Sequence, residues 1–592
     1  MAAPPSPASS PPDKPAVPQL AHSLTLSSGA VFAVSVVTQL LGVIATYFLA
    51  RHIGISPAGV ALIGTAQLFL LYASSINGLA DLRLGTAYSY FLARGKPPRE
   101  NTTSYLLIGM VLDAAVVIVL FVVAPISFDG SALVHGSTEW FDLGLFLTLP
   151  ILWSFSGLYN SMFIGLGNSL KAQYPTLVEG LVRLGALVYA AFYVHSVEGL
   201  AIAYVLGAIA STLFSLPELL PQLGKFSWKE TTALFRYSWP LLGALFVNYV
   251  VTNLTPLLVK SLGLVQFSVY LVANGWRILV LSLPAAVTTP LFPYLAGLHR
   301  TKEYEAVRRG TWQALRYSAM LLVPGVVALV IYRTNFLNVF TNSIYATQGS
   351  LPLAILVVSA LPLALSQIIQ SSINAIGRQR LELYISVTQI GVLLVAQAIL
   401  FPQHGIFPIF WQIVPLRLDP GLVAASTAVL LSSIAALALN AYFMERLIQV
   451  HIRPGPILAI TASAALSFAG LWLLNHAHLY PISTSYELLS AVVVGFAIYF
   501  VVLAAVGELT RSDVRTIGSS LGLPAWFYEP FTRLCWRESS PDLVPVDLAR
   551  AQGFQTTELP ETFTGTRELP EVVPYYTEEG PPAPEEAERP KK

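Results

Sequence analysis

Fourteen long apolar stretches follow one another along most of this chain, and they dictate what it can fold into. They cover residues 27–50, 58–93, 104–126, 140–167, 174–195, 199–220, 237–262, 265–293, 312–332, 350–376, 382–401, 421–443, 456–475 and 486–506. A helix of about 20 apolar residues crosses about 30 Å of hydrocarbon. Composition agrees: 55% of the 592 residues are hydrophobic and 11% charged, against about 25% charged in a soluble domain. With a mean hydropathy of +0.65, a water-soluble globular protein is excluded. The 33 basic and 32 acidic residues nearly cancel, and no basic patch points to nucleic acid. The single Cys535 excludes a disulfide framework and a cysteine-ligated metal site.

The basic residues set an orientation. With the N-terminus in the cytoplasm, 18 lie in inner loops and flanks, and 4 (Arg51, Lys260, Arg333 and Arg417) lie outside. That bias follows the positive-inside rule and supports an even number of spans, with both termini cytoplasmic in the cell membrane. Residues 1–26 are Pro-rich, without the charged start and short apolar core of a signal peptide, so a disordered lead-in is expected. Residues 508–592 read as a cytoplasmic, largely disordered tail, with 12 acidic and 5 basic residues over 538–592. Within it, PAWFYEPFTRLCW (524–536) is an aromatic patch expected at the membrane interface.

The chain also repeats itself. ATYFLARHIGI (45–55) and LTPLLVKSLGL (254–264) align Gly54 with Gly263 and Arg51 with Lys260, an offset of 209. SMFIGLGNSLK (161–171) and SSINAIGRQRL (371–381) align Gly167 with Gly377, an offset of 210. Gly199 and Gly421 begin a third pair at 222, the extra length falling in the loop 402–420. The expected architecture is an all-α polytopic membrane protein of about 14 helices. Two six-helix lobes, 27–222 and 223–445, surround a central cavity, and 446–507 adds two C-terminal helices.

Several segments resemble one family. SSINGLADLRLGTAYSYFLARGK (74–96) looks like the second helix of polysaccharide flippases, and FRYSWPLLGALFVNYV (235–250) like the start of their second lobe. SVYLVANGWRILVLSLPAAVTTPLFPYLA (268–296) is similar to their eighth helix, AIGRQR (375–380) to the end of their tenth, and GELTRSD (507–513) to the segment after their last. Over about residues 23–515 the chain thus resembles the Wzx-type lipid-linked oligosaccharide flippases of the multidrug/oligosaccharidyl-lipid/polysaccharide (MOP) exporter superfamily. The resemblance implies two six-helix lobes around a cavity, working by alternating access. Lipid II flippases also carry fourteen helices but usually place arginines in the first, where residues 27–50 have none.

Charges inside hydrocarbon are expensive and mark candidate sites. Six fall within the stretches: Asp81, Arg83, Asp113, Glu179, Arg183 and Arg277. Arg277, about 18 Å into its helix, shares a face with Asn274 and Tyr270. Its planar fork suits a pyrophosphate, and a structural salt bridge is the competing reading. Glu179 and Arg183 stand at i, i+4 and can pair with each other. Asp113 has no local cation, so either Arg183 or Arg83 neutralises it or it titrates in proton or sodium coupling. Asp81 and Arg83 are expected at the inner mouth of the cavity, in a second helix that would be about 54 Å long if unbroken. Gln367, Gln370 and Asn374, and separately Asn248 with Thr252, form polar stripes that line a cavity or bond helix to helix.

No GxxxxGK[ST] loop is present, so ATP is not the expected energy source, and no HExxH occurs. His476 and His478 read as solvated. No cofactor or metal is expected. The reading is a monomeric, non-enzymatic flippase of an anionic lipid-linked glycan. In it Arg277, Asn274, Arg183 and Arg83 bind substrate, while Asp113, Asp81 and Glu179 couple to H+ or Na+ or gate. The alternatives are a cation-coupled multidrug exporter of the same superfamily and a membrane-embedded glycosyltransferase.

Overall fold

The computed structural model describes residue 34 and residues 37–82, 84–93, 98–123, 137–166, 168–300, 303–376, 378, 380–401, 420–450, 454–477, 484–520 and 525–537. The described residues form helices, turns and short connections, with no strand among them. Helix α1 covers 37–52. It is followed by α2 (Pro57–Ala80), α3 (Leu84–Ala93), α4 (Pro98–Val123), α5 (Ser137–Leu147), α6 (Leu149–Gly165), α7 (Ser169–Ala172), α8 (Tyr174–Tyr189) and α9 (Val197–Leu219). Next come α10 (Trp228–Lys260), α11 (Leu264–Arg300), α12 (Tyr304–Ile331), α13 (Arg333–Phe340), α14 (Ser343–Ala375), α15 (Arg380–Leu400) and α16 (Pro420–Ile448). The chain closes with α17 (Pro454–His476), α18 (Ser485–Val506), α19 (Arg511–Ser520) and α20 (Ala525–Leu534).

Among the described residues, 12 helical segments are long and apolar enough to cross a membrane. The expected fourteen is therefore not established. The two stretches outside that set are 27–50, described from residue 37 apart from residue 34, and 237–262, which lies in α10. Within the spans, hydroxyls bond back to the carbonyl four residues earlier, as in Ser215 to Ser211, Ser426 to Leu422 and Ser467 to Ser463. This removes each polar group from the apolar surroundings without a partner helix.

One expectation is corrected. The stretch 58–93 is two helices rather than one of 54 Å. After α2 the chain turns at Asp81 and Leu82, with Leu82 in the left-handed region at φ 44°. Asp81 Oδ1 accepts from Gly85 N at 3.3 Å and so caps the start of α3. Aspartate prefers that place to a helix interior because its carboxylate satisfies a free amide.

The repeat reappears as packing. In the first half α3 and α4 lie on α6, and α6 and α8 lie on α9. In the second half α11 and α12 lie on α14, and α14 and α15 lie on α16. Ala45 and Leu49 of α1 share a core with Leu187 of α8. Its counterpart is α10 on α15, where Gln397 Nε2 donates to Thr255 Oγ1 at 2.7 Å. One alignment holds down to the backbone: Asn168 N bonds Phe163 O at 2.8 Å, and 210 residues on Arg378 N bonds Ile373 O at 3.2 Å. Gly167 and Gly377 themselves lie outside the described residues. The Gly54 alignment is looser, since Gly54 N bonds back to Leu49 O whereas Gly263 N bonds Lys260 O at φ 129°. Helices α17 and α18 stand outside this scheme, packed on each other and on α12.

Candidate functional site

The first cluster is built on α8. Arg183 Nη1 and Glu179 Oε1 pair at 3.1 Å, the i, i+4 contact expected from the sequence. Glu179 Oε1 also accepts from Trp153 Nε1 of α6 at 3.3 Å, and the Arg183 guanidinium lies 5.5 Å from the centre of the Tyr204 ring on α9. The helices meet closely because residue 207 is glycine. A Cβ there would stand 2.9 Å from Arg183 Cβ and 3.1 Å from Glu179 O. Both charged groups keep some exposure, 24% for the Arg183 side chain and 11% for that of Glu179.

Arg183 borders a cavity of about 220 Å³. Thr46 of α1, Gln67 of α2 and Tyr204 supply its other polar groups, and Leu187 and Leu200 its apolar wall. Val272 of α11 and Tyr345 of α14 close it from the second half of the chain. Gln67 Oε1 is buried and has no hydrogen-bond partner among the described residues. The arrangement offers a cation, an amide and a hydroxyl beside apolar surface, a combination suited to a polar head carrying an apolar tail.

A second cluster joins α2, α4 and α6. Tyr105 OH donates to Asp81 Oδ1 at 3.0 Å. Ser154 Oγ donates to Asp113 Oδ2, and Asp113 Oδ1 is buried without a partner among the described residues. Of the two cations expected to neutralise Asp113, Arg183 is taken by Glu179, and Arg83 lies outside the described residues.

Arg277 stands apart from both. It lies about 20 Å along α11 from Leu264, and its Nη1 donates to Asn274 Oδ1 at 3.2 Å, as the shared face implied. Its Nε is buried without a partner, and no carboxylate pairs with it among the described residues. It is not part of the cavity lining, so Arg277 and Arg183 are not brought to one site. Gln367 and Gln370 of α14 are half-buried. Asn374 Nδ2 donates to Glu382 Oε2 at 2.8 Å and ties the end of α14 to α15. The side chain of Asn248 lies outside the described residues.

Sequence reading missed Gln67, Trp153, Tyr204, Tyr105 and Ser154. Each is a lone polar or aromatic group on an apolar helix, and only the partner helix gives it meaning. It also missed a tie between the two halves. Arg51 Nη2, just past the last apolar turn of α1, donates to the carbonyls of Asn338 and Val339 at 2.9 and 3.0 Å. Asn342 Nδ2 returns bonds to the carbonyls of Ala50 and Gly54 at 2.9 and 2.7 Å.

With this geometry described, the known proteins can be set beside it. A family profile described as "Polysaccharide biosynthesis protein" matches residues 169–350. No curated protein matches the sequence. Among solved structures, the lipid II flippase MurJ in an inward closed conformation has a TM-score of 0.63 at 13% identity, covering 80% of this chain and 98% of its own. An inward-facing multidrug resistance MATE family transporter of the MOP superfamily gives 0.54 at 14%, covering 70% and 94%. A MOP superfamily transporter from Pyrococcus furiosus, titled for the reverse polarity of its binding pocket, gives 0.53 at 16%, covering 72% and 95%. The fold is the one these MOP superfamily proteins share, and the superfamily resemblance read from the sequence is borne out.

Proposed function

We propose that this chain is a membrane transporter that flips a lipid-linked oligosaccharide, a polyprenyl-(pyro)phosphate sugar, across the cell membrane by alternating access. The observation that carries the reading is Arg277, a cation deep in a spanning helix with Asn274 beside it and no carboxylate partner among the described residues. Leaving such a charge in hydrocarbon costs several kcal/mol, on the order of 2.5–3.5 by insertion scales. A phosphate-bearing head offsets that cost by bidentate hydrogen bonding. The match of residues 169–350 to a polysaccharide biosynthesis profile supports a glycan substrate.

In this reading 27–222 and 223–445 act as the moving lobes and 446–507 adds the last two helices, with both termini cytoplasmic. Arg183, and Arg83 if it faces the same space, takes up the head group in a second position. The Arg51 and Asn342 bonds close the outer side, so substrate loads from the cytoplasmic side. Asp113, with Asp81 and Glu179, is the candidate for H+ or Na+ coupling, and the protein acts as a monomer without catalysis. A second reading, cation-coupled drug export, is favoured by one observation, the buried Asp113 carboxylate without a cation partner among the described residues.

The test is transport in liposomes, comparing a fluorescent polyprenyl-pyrophosphate oligosaccharide with a cationic dye for wild type and Arg277→Ala. The glycolipid is expected to cross, and the variant to slow it about tenfold or more, the worth of a charge-assisted hydrogen bond. Dye movement without glycolipid movement overturns the substrate. Unchanged flipping by Arg277→Ala overturns the residue's role.

A further inference from the structure

Past the last span the chain builds something no transport step requires. Helix α18 ends at Val506, and Gly507 turns the backbone with φ 83°. The chain then runs through α19 and α20 and comes back to its starting point. Trp536 Nε1 donates to Ala505 O at 3.3 Å, and Arg537 Nη1 to Gly507 O at 3.3 Å. Arg511 fastens the return by bonding Arg537 O through its amide at 3.1 Å and Cys535 O through Nε at 2.9 Å. The end of α20 is thereby held at the level of the last turn of a membrane-spanning helix.

Helix α20 has two kinds of edge. Thr532 and Cys535 face inward and are 6% and 0% exposed. Phe531 and Leu534 face outward, 50% and 53% exposed, and Trp536 follows at 60%. Glu529 and Arg533 are exposed on a separate polar edge. An amphipathic helix with aromatic groups, fixed where a span leaves the hydrocarbon, has the form of a helix lying in the interface plane. Tryptophan adds to this because its ring is apolar while its N–H needs a partner, here the Ala505 carbonyl.

We propose that the Phe531, Leu534 and Trp536 edge of this segment is seated in the lipid headgroup layer on the side of the membrane where α18 ends. The occupant is the bilayer itself, because the hydrogen bond from Trp536 to Ala505 makes the edge continuous with a surface already in lipid. The segment is also tied to α12. Asp513 of α19 bonds Arg316 at 3.0 Å and Tyr317 OH at 2.9 Å, and Tyr499 OH of α18 bonds Met320 O at 3.0 Å. The C-terminal segment thus moors the middle of α12 to the lipid surface. This holds whatever the transported substrate is.

The experiment attaches a nitroxide label to Phe531→Cys, Leu534→Cys or Glu529→Cys, each with Cys535→Ser, in full-length protein in phosphatidylcholine/phosphatidylglycerol nanodiscs. Collision with oxygen, which concentrates in lipid, is compared with collision with a water-soluble nickel chelate. Labels at 531 and 534 are expected to favour oxygen severalfold more than the label at 529, which meets water. Nickel access at 531 and 534 equal to that at 529 overturns the proposal, because the edge is then in water. Shielding of 531 and 534 from both reagents overturns it as well, because protein then covers the edge.

Discussion

Two arginines in this molecule pair with carboxylates under opposite conditions. Arg183 and Glu179 sit one turn apart on α8 and keep 24% and 11% of their side chains exposed beside a cavity. Arg316 and Asp513 stand 197 positions apart and keep 6% and 0%. In the second pair every side-chain oxygen is used. Asp513 Oδ2 takes Arg316 Nη2 and Thr510 N at 3.0 Å each, Oδ1 takes Tyr317 OH, and Arg316 Nη2 also donates to the Glu508 carbonyl. Neither carboxylate oxygen of Asp513 is left for a ligand. The first pair costs little to form, because a helix brings the partners together unaided, and Arg183 lines the cavity. The two environments separate a saturated ion pair that fastens the fold from an open one that can exchange partners.

Four variants probe that contrast, taken from the largest expected effect. Asp513→Ala strands a buried guanidinium, so unfolding free energy should fall by about 3–5 kcal/mol, read as a lower melting temperature in detergent. Replacing both partners by apolar groups, Arg316→Met with Asp513→Leu, should recover most of that loss. If Asp513→Ala melts within a degree or two of wild type, the pair is not sealed and the comparison fails. Gly507→Ala comes next. Its φ of 83° disfavours a side chain, and a Cβ would stand 2.6 Å from the Trp536 ring, so a loss of about 1–3 kcal/mol is expected. Glu179→Gln is the smallest: the amide oxygen keeps an acceptor for Trp153 Nε1 and Arg183 Nη1, so stability should fall by only about 1 kcal/mol, while the glycolipid transport proposed above should change in rate. A large stability loss with unchanged transport would move this pair into the fastening class.

The sequence made legible whatever is local. Long apolar runs dictated the helices, Glu179 and Arg183 were read as a pair from i, i+4 spacing, and Asn274 was placed with Arg277 at i−3. The backbone pattern around residues 168 and 378 was foreshadowed by their alignment. What stayed hidden depends on chain segments meeting. Arg316 was read as a loop flank because the apolar run begins at 312, yet α12 begins eight residues earlier, at Tyr304. Its partner lies beyond six further helices, α13 to α18. The signal present was Thr510-x-x-Asp513, a pattern in which side chain and backbone bond reciprocally at a helix start. The Asp81 break was hidden for another reason: Asp81 and Arg83 were read as charges inside one long apolar stretch, whereas the capping of Gly85 N by Asp81 and the left-handed turn at Leu82 end the helix.

The bonds that hold α1 to the α13–α14 junction have a consequence of another kind. All four run from a side-chain nitrogen of Arg51 or Asn342 to main-chain carbonyls, of Asn338, Val339, Ala50 and Gly54. The acceptors are therefore independent of what is written at those four positions, so long as the backbone keeps its path. Two codons encode the side-chain donors of all four bonds. For these bonds the side-chain information is concentrated at residues 51 and 342, while packing of α2 on α11 and of α10 on α2, α3 and α4 also joins the halves.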